Sequence, residues 1–189
     1  MMKAAVQAKA EGICFPILLG NPDRINRQAQ RLKLDLAGIE IIDMRADKEQ
    51  GRRATYAKHL AEKMARKGYT FQEAYDKMYE RNYFGMMMVE RGDADAFITG
   101  LYTKYSNTIK VATEVVGVRE GYHTFGTMHI VNSQKGTFYI ADTLINRHPD
   151  NNYLVDIARL SANTVEFFNE KPVMAMISYS NFGTDEIGS

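Results

Sequence analysis

The sequence predicts an α/β layered fold, with helices on the faces of a mostly parallel sheet, and three observations carry that expectation. Short apolar runs alternate with helical patterns through the first part of the 189 residues. One such run turns directly into a helix start at Gly20-Asn21-Pro22-Asp23. From His123 onward the texture becomes β-rich. Strands separated by helices need crossover connections, and crossovers favour parallel pairing.

In chain order, the alanine-rich segment from Lys3 to Ala10 predicts a helix closed by Gly12 as its C-cap. Phe15 to Gly20 predicts a strand; Asn21 then caps a helix, Pro22 fits its first position and Asp23 favours its positive end. Ile39 to Ile42 is a second strand, and Asp47 to Lys67 a charged helix with Ala54, Ala57, Ala61 and Ala65 at helical spacing. Gly68 stops it, and Thr70-Phe71-Gln72-Glu73 is a capping box that starts another helix. A further helix is expected from Tyr83 to Arg91, ended by Gly92; its Met86-Met87-Met88 run reads as soft core filling or a helix–helix contact.

Ala96 to Thr99 predicts a short buried strand, and Ser106-Asn107 a cap for a helix carrying Ile109, Ala112, Val115 and Val116 as far as Gly117. Thr127 to Val131 and Thr137 to Ile140 predict a hairpin turning through residues 132–136. A second lobe is expected to begin near Gly126, dividing the chain into residues 1–125 and 126–189. Pro149-Asp150 opens a helix with Leu154, Ile157, Ala158, Val165 and Phe168 on one face, and Val173 to Ile177 is a last buried strand.

Composition narrows the function. With 45% hydrophobic and 25% charged residues the chain is globular, and 24 basic against 23 acidic residues leave +1, too balanced for a nucleic-acid module that works by neutralising phosphates. The single cysteine, Cys14, excludes a disulfide framework, reads as a packing residue and suits a reducing, cytoplasmic setting. No apolar stretch approaches the ~20 residues of a membrane span, and no leader pattern is visible.

In layered α/β folds ligands gather at the carboxyl ends of strands, which points to the loops after Thr99 and Ile177. The first carries Thr103, Lys104, Ser106, Asn107, Thr108 and Lys110 around a helix N-terminus, a cradle suited to phosphate; a plain cap with solvated lysines is the alternative. The second carries Ser178, Ser180, Asn181, Gly183 and Thr184, a donor-rich stretch that also reads as a simple turn. His59, His123, His129 and His148 show no ligand spacing, and the carboxylate pairs Asp93/Asp95 and Asp142/Asp150 are weak metal candidates. Walker A, dinucleotide-glycine and G-x-S-x-G patterns are absent.

Read as whole phrases, Phe15-Pro16-Ile17-Leu18-Leu19-Gly20-Asn21-Pro22, Tyr83-Phe84-Gly85-Met86-Met87-Met88-Val89, Gly92-Asp93-Ala94-Asp95-Ala96, Ile140-Ala141-Asp142-Thr143 and Ser178-Tyr179-Ser180-Asn181-Phe182-Gly183 resemble the phosphate acetyltransferase/butyryltransferase family. Gly117 to Thr124, Ala141 to Asn146 and Ser180 to Gly183 resemble specifically the acyltransferase-like C-terminal domain of NADP-dependent, decarboxylating malic enzymes. The resemblance implies a two-lobed, three-layer α/β/α fold of the isocitrate/isopropylmalate dehydrogenase type. CoA and acyl phosphate would meet between its lobes, and the fold would be incomplete here at both ends.

The loop departs from the pattern of active transferases. Thr108 matches, but Lys104-Tyr105 stand for a hydroxyl pair, Lys110-Val111 for arginine-proline, and a further family arginine falls near Met64. Lysine cannot supply arginine's bidentate fork to a phosphate. The resemblance therefore implies a regulatory and oligomerising domain of a malic enzyme that senses acetyl-CoA or a related acyl-CoA, with no catalytic residue, cofactor or metal of its own. NADP, a divalent metal and malate oxidation to pyruvate would belong to a separate malic domain of the same chain. A homo-oligomer, at least a dimer, is expected to pair through Phe84, Met87 and Met88 and through Leu154, Ile157 and Phe168. An active phosphate acyltransferase and a ligand-free dimerisation domain are the alternatives.

Overall fold

A computed structural model describes residues 1–100, 103–146 and 149–177. The chain forms two compact units, Met1–Gly117 and Val118–Ser189.

In the first unit, α1 (Met2–Ala10) buries none of its residues. It ends where Gly12, at φ +69°, takes the left-handed conformation and lets the Ile13 N–H reach back to the Ala8 carbonyl at 2.9 Å. β1 (Ile17–Leu19) pairs in parallel with β2 (Glu40–Ile42), Ile17 opposite Glu40 and Leu19 opposite Ile42. The crossover between them is α2 (Pro22–Arg31), started by the Asn21 side chain, which accepts the Arg24 N–H.

The core lies among the next four helices. Tyr56, Ala57 and Leu60 of α3 (Gln50–Lys63) are buried, and α4 (Phe71–Lys77) opens with the expected capping box between Thr70 and Glu73. Because α5 (Arg81–Glu90) is apolar on nearly every side, it is the enclosed helix, with Tyr83, Phe84, Gly85 and Met86 to Met88 all buried. α6 (Tyr105–Val115) adds Val111 and Val115. This corrects one expected pairing surface: Phe84, Met87 and Met88 pack inside the unit and are not available to a second chain.

Two expected strands do not form. Ala96 to Thr99 pairs with no strand; Ile98 is 77% exposed, while the Phe97 ring presses onto Gly85 of α5. The aromatic ring finds its burial on a helix, so the run needs no ladder to shelter it. Val173 to Ile177 is likewise unpaired, with Val173 90% and Ile177 92% exposed. The mostly parallel sheet is therefore not found among the described residues, which hold one parallel pair and one antiparallel pair. The α/β class stands, as helices with two small sheets.

In the second unit, β3 (Met128–Ser133) and β4 (Gly136–Ala141) form the expected hairpin. Its loop is shorter than expected, Gln134-Lys135 alone, with Ser133 Oγ accepting the Lys135 N–H and donating to the Gly136 carbonyl. α7 (Asn151–Phe167) is capped by Asp150, whose carboxylate accepts the Tyr153 N–H at 2.9 Å, and buries Asp156, Ile157 and Val165. No helix among the described residues is long and apolar enough to cross a membrane.

Candidate functional site

The α6 helix begins at least two residues earlier than the sequence indicates. Lys104 occupies the N-cap with extended backbone and gives no side-chain cap, so Ser106 and Asn107 lie inside the first turn instead of capping it. The Lys104 carbonyl accepts the Asn107 N–H at 3.0 Å, while the Thr103 and Thr108 hydroxyls meet at 3.2 Å across the entry to the helix. Thr103, Lys104, Ser106, Asn107 and Lys110 are all exposed. Hydroxyls, amides without a capping side chain, the positive end of the dipole and Lys104 lie at this helix end, while Lys110 stands in the second turn, with its ammonium beside Glu114 of the last turn. Chemically, such a set attracts anions.

Upstream, the chain reaches this loop along α5. Thr99 Oγ1 donates to Asn82 Oδ1 at 2.8 Å, and Phe97 sits where a Cβ on residue 85 would come within 2.3 Å of its ring. Glycine at that position lets the segment lie close to the helix.

Lys110 does not stand alone. Its Nζ lies 3.8 Å from Oε1 of Glu114 one turn on, and Glu114 is only 7% exposed. The other carboxylate oxygen, Oε2, accepts from Tyr69 Oη at 2.9 Å and from Tyr83 Oη at 2.5 Å. Lys77 donates to Tyr83 Oη at 3.2 Å and lies over the rings of Tyr69 and Tyr83. Burial pushes the Glu114 carboxyl up, but the Tyr83 and Tyr69 hydroxyls with the charges of Lys77 and Lys110 outweigh it, and the net shift is downward. Burial, then the bond to Glu114, pushes Tyr69 up to about 12 and also raises Tyr83.

Sequence reasoning missed Glu114, Tyr69 and Tyr83. A signal existed for the first: Glu114 falls beside Val111 and Val115 on the apolar side of α6, where a solvated glutamate has no place. Met64, where the resemblance sets a family arginine, is part of the core at 5% exposure.

The remaining candidates are scattered. Asp93 accepts the Tyr56 hydroxyl, Asp150 is spent on capping α7, and Asp142 accepts from Asn146 Nδ2 at 3.1 Å. His123 donates its backbone N–H to Asp156 at 2.6 Å and holds its ring Nδ1 3.2 Å from the same oxygen; His129 meets the Thr143 hydroxyl, and His59 lies 3.5 Å from Glu90. No group of three or more metal-ligating side chains occurs among the described residues. Cys14 is exposed and so is not the packing residue expected. Ser178, Ser180, Asn181, Gly183, Thr184 and His148 lie outside the described residues.

Residues 1–188 match a protein family described as phosphate acetyl/butaryl transferase. An NADP-dependent malic enzyme of Escherichia coli (strain K12) is 35% identical over 182 residues, 94% of this chain and 24% of its own length. A phosphate acetyltransferase of Bacillus subtilis (strain 168) is 28% identical, over 97% of this chain and 56% of its own. Among solved structures, a phosphotransacetylase from Staphylococcus aureus superposes with a TM-score of 0.74 at 27% identity, covering 97% of this chain and 54% of that one. One from Streptococcus pyogenes gives 0.80 at 24% identity, a likeness of fold alone. The chain thus spans about a quarter of that malic enzyme and about half of the acetyltransferases.

Proposed function

Since the chain belongs to the phosphate acetyl/butaryl transferase family, we propose that it is the acyltransferase-like module of a malic enzyme, and that it binds acetyl-CoA or a related acyl-CoA as a regulatory ligand without performing transfer. The observation that supports this reading is the α6 entry. Lysine stands at 104 and 110, Lys110 is 64% exposed and is shared with the buried Glu114. A single ammonium, partly offset by a carboxylate, can attract a phosphate group but cannot grip one in the bidentate manner that arginine allows.

In this reading the exposed first-turn amides of α6, the Thr103 and Thr108 hydroxyls and Lys110 face the phosphates of CoA. The malate chemistry, with NADP and a divalent metal, belongs to another domain of the same chain. A cytoplasmic setting and an assembly of at least two copies complete the proposal, and acyl-CoA binding acts by favouring one arrangement of that assembly. The test is calorimetry with acetyl-CoA on the parent enzyme and on Lys110→Ala. Removing a charge-assisted contact costs about 1.5–3 kcal/mol, on the order of tenfold or more in affinity. Equal affinity in the two proteins removes Lys110 from the site; absent binding in both overturns the reading.

A further inference from the structure

The two oxygens of the Glu114 carboxylate do different work. Oε2 takes both tyrosine hydroxyls, from α5 and from the residue ahead of the α4 cap, and so ties α6 into the core. Oε1 is left facing the Lys110 ammonium at 3.8 Å. A glutamine could accept the two hydroxyl bonds as well as a glutamate does, and burying a full charge where an amide would serve is unfavourable. The charge therefore needs a second reason, and Oε1 supplies one. We propose that Glu114 is a positioning residue of the α6 site: rigidly clamped through Oε2, it holds Lys110 through Oε1 and sets how much positive charge the loop offers to an anion. This deepens the functional reading and rests on it for the identity of the ligand, though not for the coupling between the two side chains.

Two consequences follow from Coulomb attraction alone. An anion on Lys110 lies a few ångströms further from Glu114 than the ammonium does, and at that range the carboxylate behind the ammonium weakens its binding about three- to tenfold. A lone phosphate gains little under that handicap, whereas a ligand with several phosphates spread over the amides and Lys104 is less affected. Glu114 thereby favours an extended polyanion over free phosphate. The other charges acting on this cluster are Lys77 from α4, occupied by Tyr83, Glu73 of the α4 capping box, which acts on Tyr69, and Glu80 at the start of α5.

The test follows side-chain titration by NMR in the full chain, with calorimetry beside it. In Glu114→Gln inorganic phosphate binds about three- to tenfold more tightly than in the native chain. The reciprocal variant Lys110→Met, at an exposed position, raises the pH at which the Glu114 carboxyl titrates and keeps the test available if Glu114→Gln fails to fold. An unchanged Glu114 titration in Lys110→Met overturns the proposal, and so does an equal, measurable phosphate affinity in folded Glu114→Gln, since a purely structural glutamate would move neither. If neither phosphate nor acetyl-CoA binds any variant while the Glu114 titration shifts, the functional reading fails and the coupling stands.

Discussion

The Lys63 ammonium lies 2.7 Å from Glu90 Oε1 and donates at the same time to the carbonyls of Val115 and Val116. One side chain from α3 therefore satisfies orphan carbonyls at the end of α6 while paired with the last residue of α5. Cations at a helix C-terminus also meet the negative end of its dipole. The arrangement fixes the far end of the helix whose first turn forms the candidate site.

Lys63→Met should accordingly destabilise the chain by about 1.5–3 kcal/mol, the range for hydrogen bonds to a charged group. Glu90→Gln, which leaves the carbonyl contacts intact, should cost less. Denaturant midpoints check this; a Lys63→Met midpoint equal to the native one would show that water replaces the ammonium without penalty.

Packing of Phe97 on Gly85 yields a second prediction. A Cβ at residue 85 would stand 2.3 Å from the Phe97 ring, so Gly85→Ala must displace the ring or the segment leading to Gly100. Overpacking of this kind costs about 1–3 kcal/mol. Adding Phe97→Leu should recover part of the loss, a non-additivity that a double-mutant cycle reads directly. Strict additivity would mean that the two positions do not press on each other.

Acid stability in the second unit should depend on Asp156. Its carboxyl is held below the usual range by the backbone N–H of His123 first; burial opposes this, and the His123 ring and the Arg159 charge reinforce it. A carboxyl lowered in the folded state contributes stability above its unfolded value of about 3.9, lost as pH falls through the folded value. Native stability should therefore fall as the pH drops below about 4. Asp156→Asn should flatten that acid limb, and urea midpoints across this range that run parallel in the two proteins would exclude Asp156 as its source.

What the sequence made legible divides by range of interaction. Local chemistry was readable: Asn21 as a cap, the Thr70/Glu73 box, Gly12 past the end of α1 and Asp150 ahead of α7 all sit where their types predict. Short apolar runs were not. Ile17 to Leu19 found a parallel partner, but Ala96 to Thr99 and Val173 to Ile177 did not, and nothing in their composition distinguishes the three. Strand identity depends on a distant neighbour. At the site, the exposed residues from Thr103 to Lys110 could be gathered from one loop, whereas the Tyr69 and Tyr83 contacts to Glu114 join positions 45 and 31 residues apart. Alternating patterns carry no information about such pairs.

Transfer of an acetyl group between CoA and phosphate requires both reactants held in line and the developing oxyanion stabilised, which calls for fixed, directional donors. Around α6 the charged donors at 104 and 110 are Lys104 and Lys110, both exposed, and Lys110 lies 3.8 Å from Glu114. The 189-residue chain should therefore form no acetyl phosphate from acetyl-CoA and phosphate above background. Lys110→Arg introduces a planar fork and should tighten phosphate binding several-fold without creating turnover, because the fork fixes phosphate alone and not the acyl group beside it. Phosphate-dependent release of CoA by the native chain, abolished in Lys110→Ala, would instead identify the α6 loop as a working transferase site and overturn the regulatory reading.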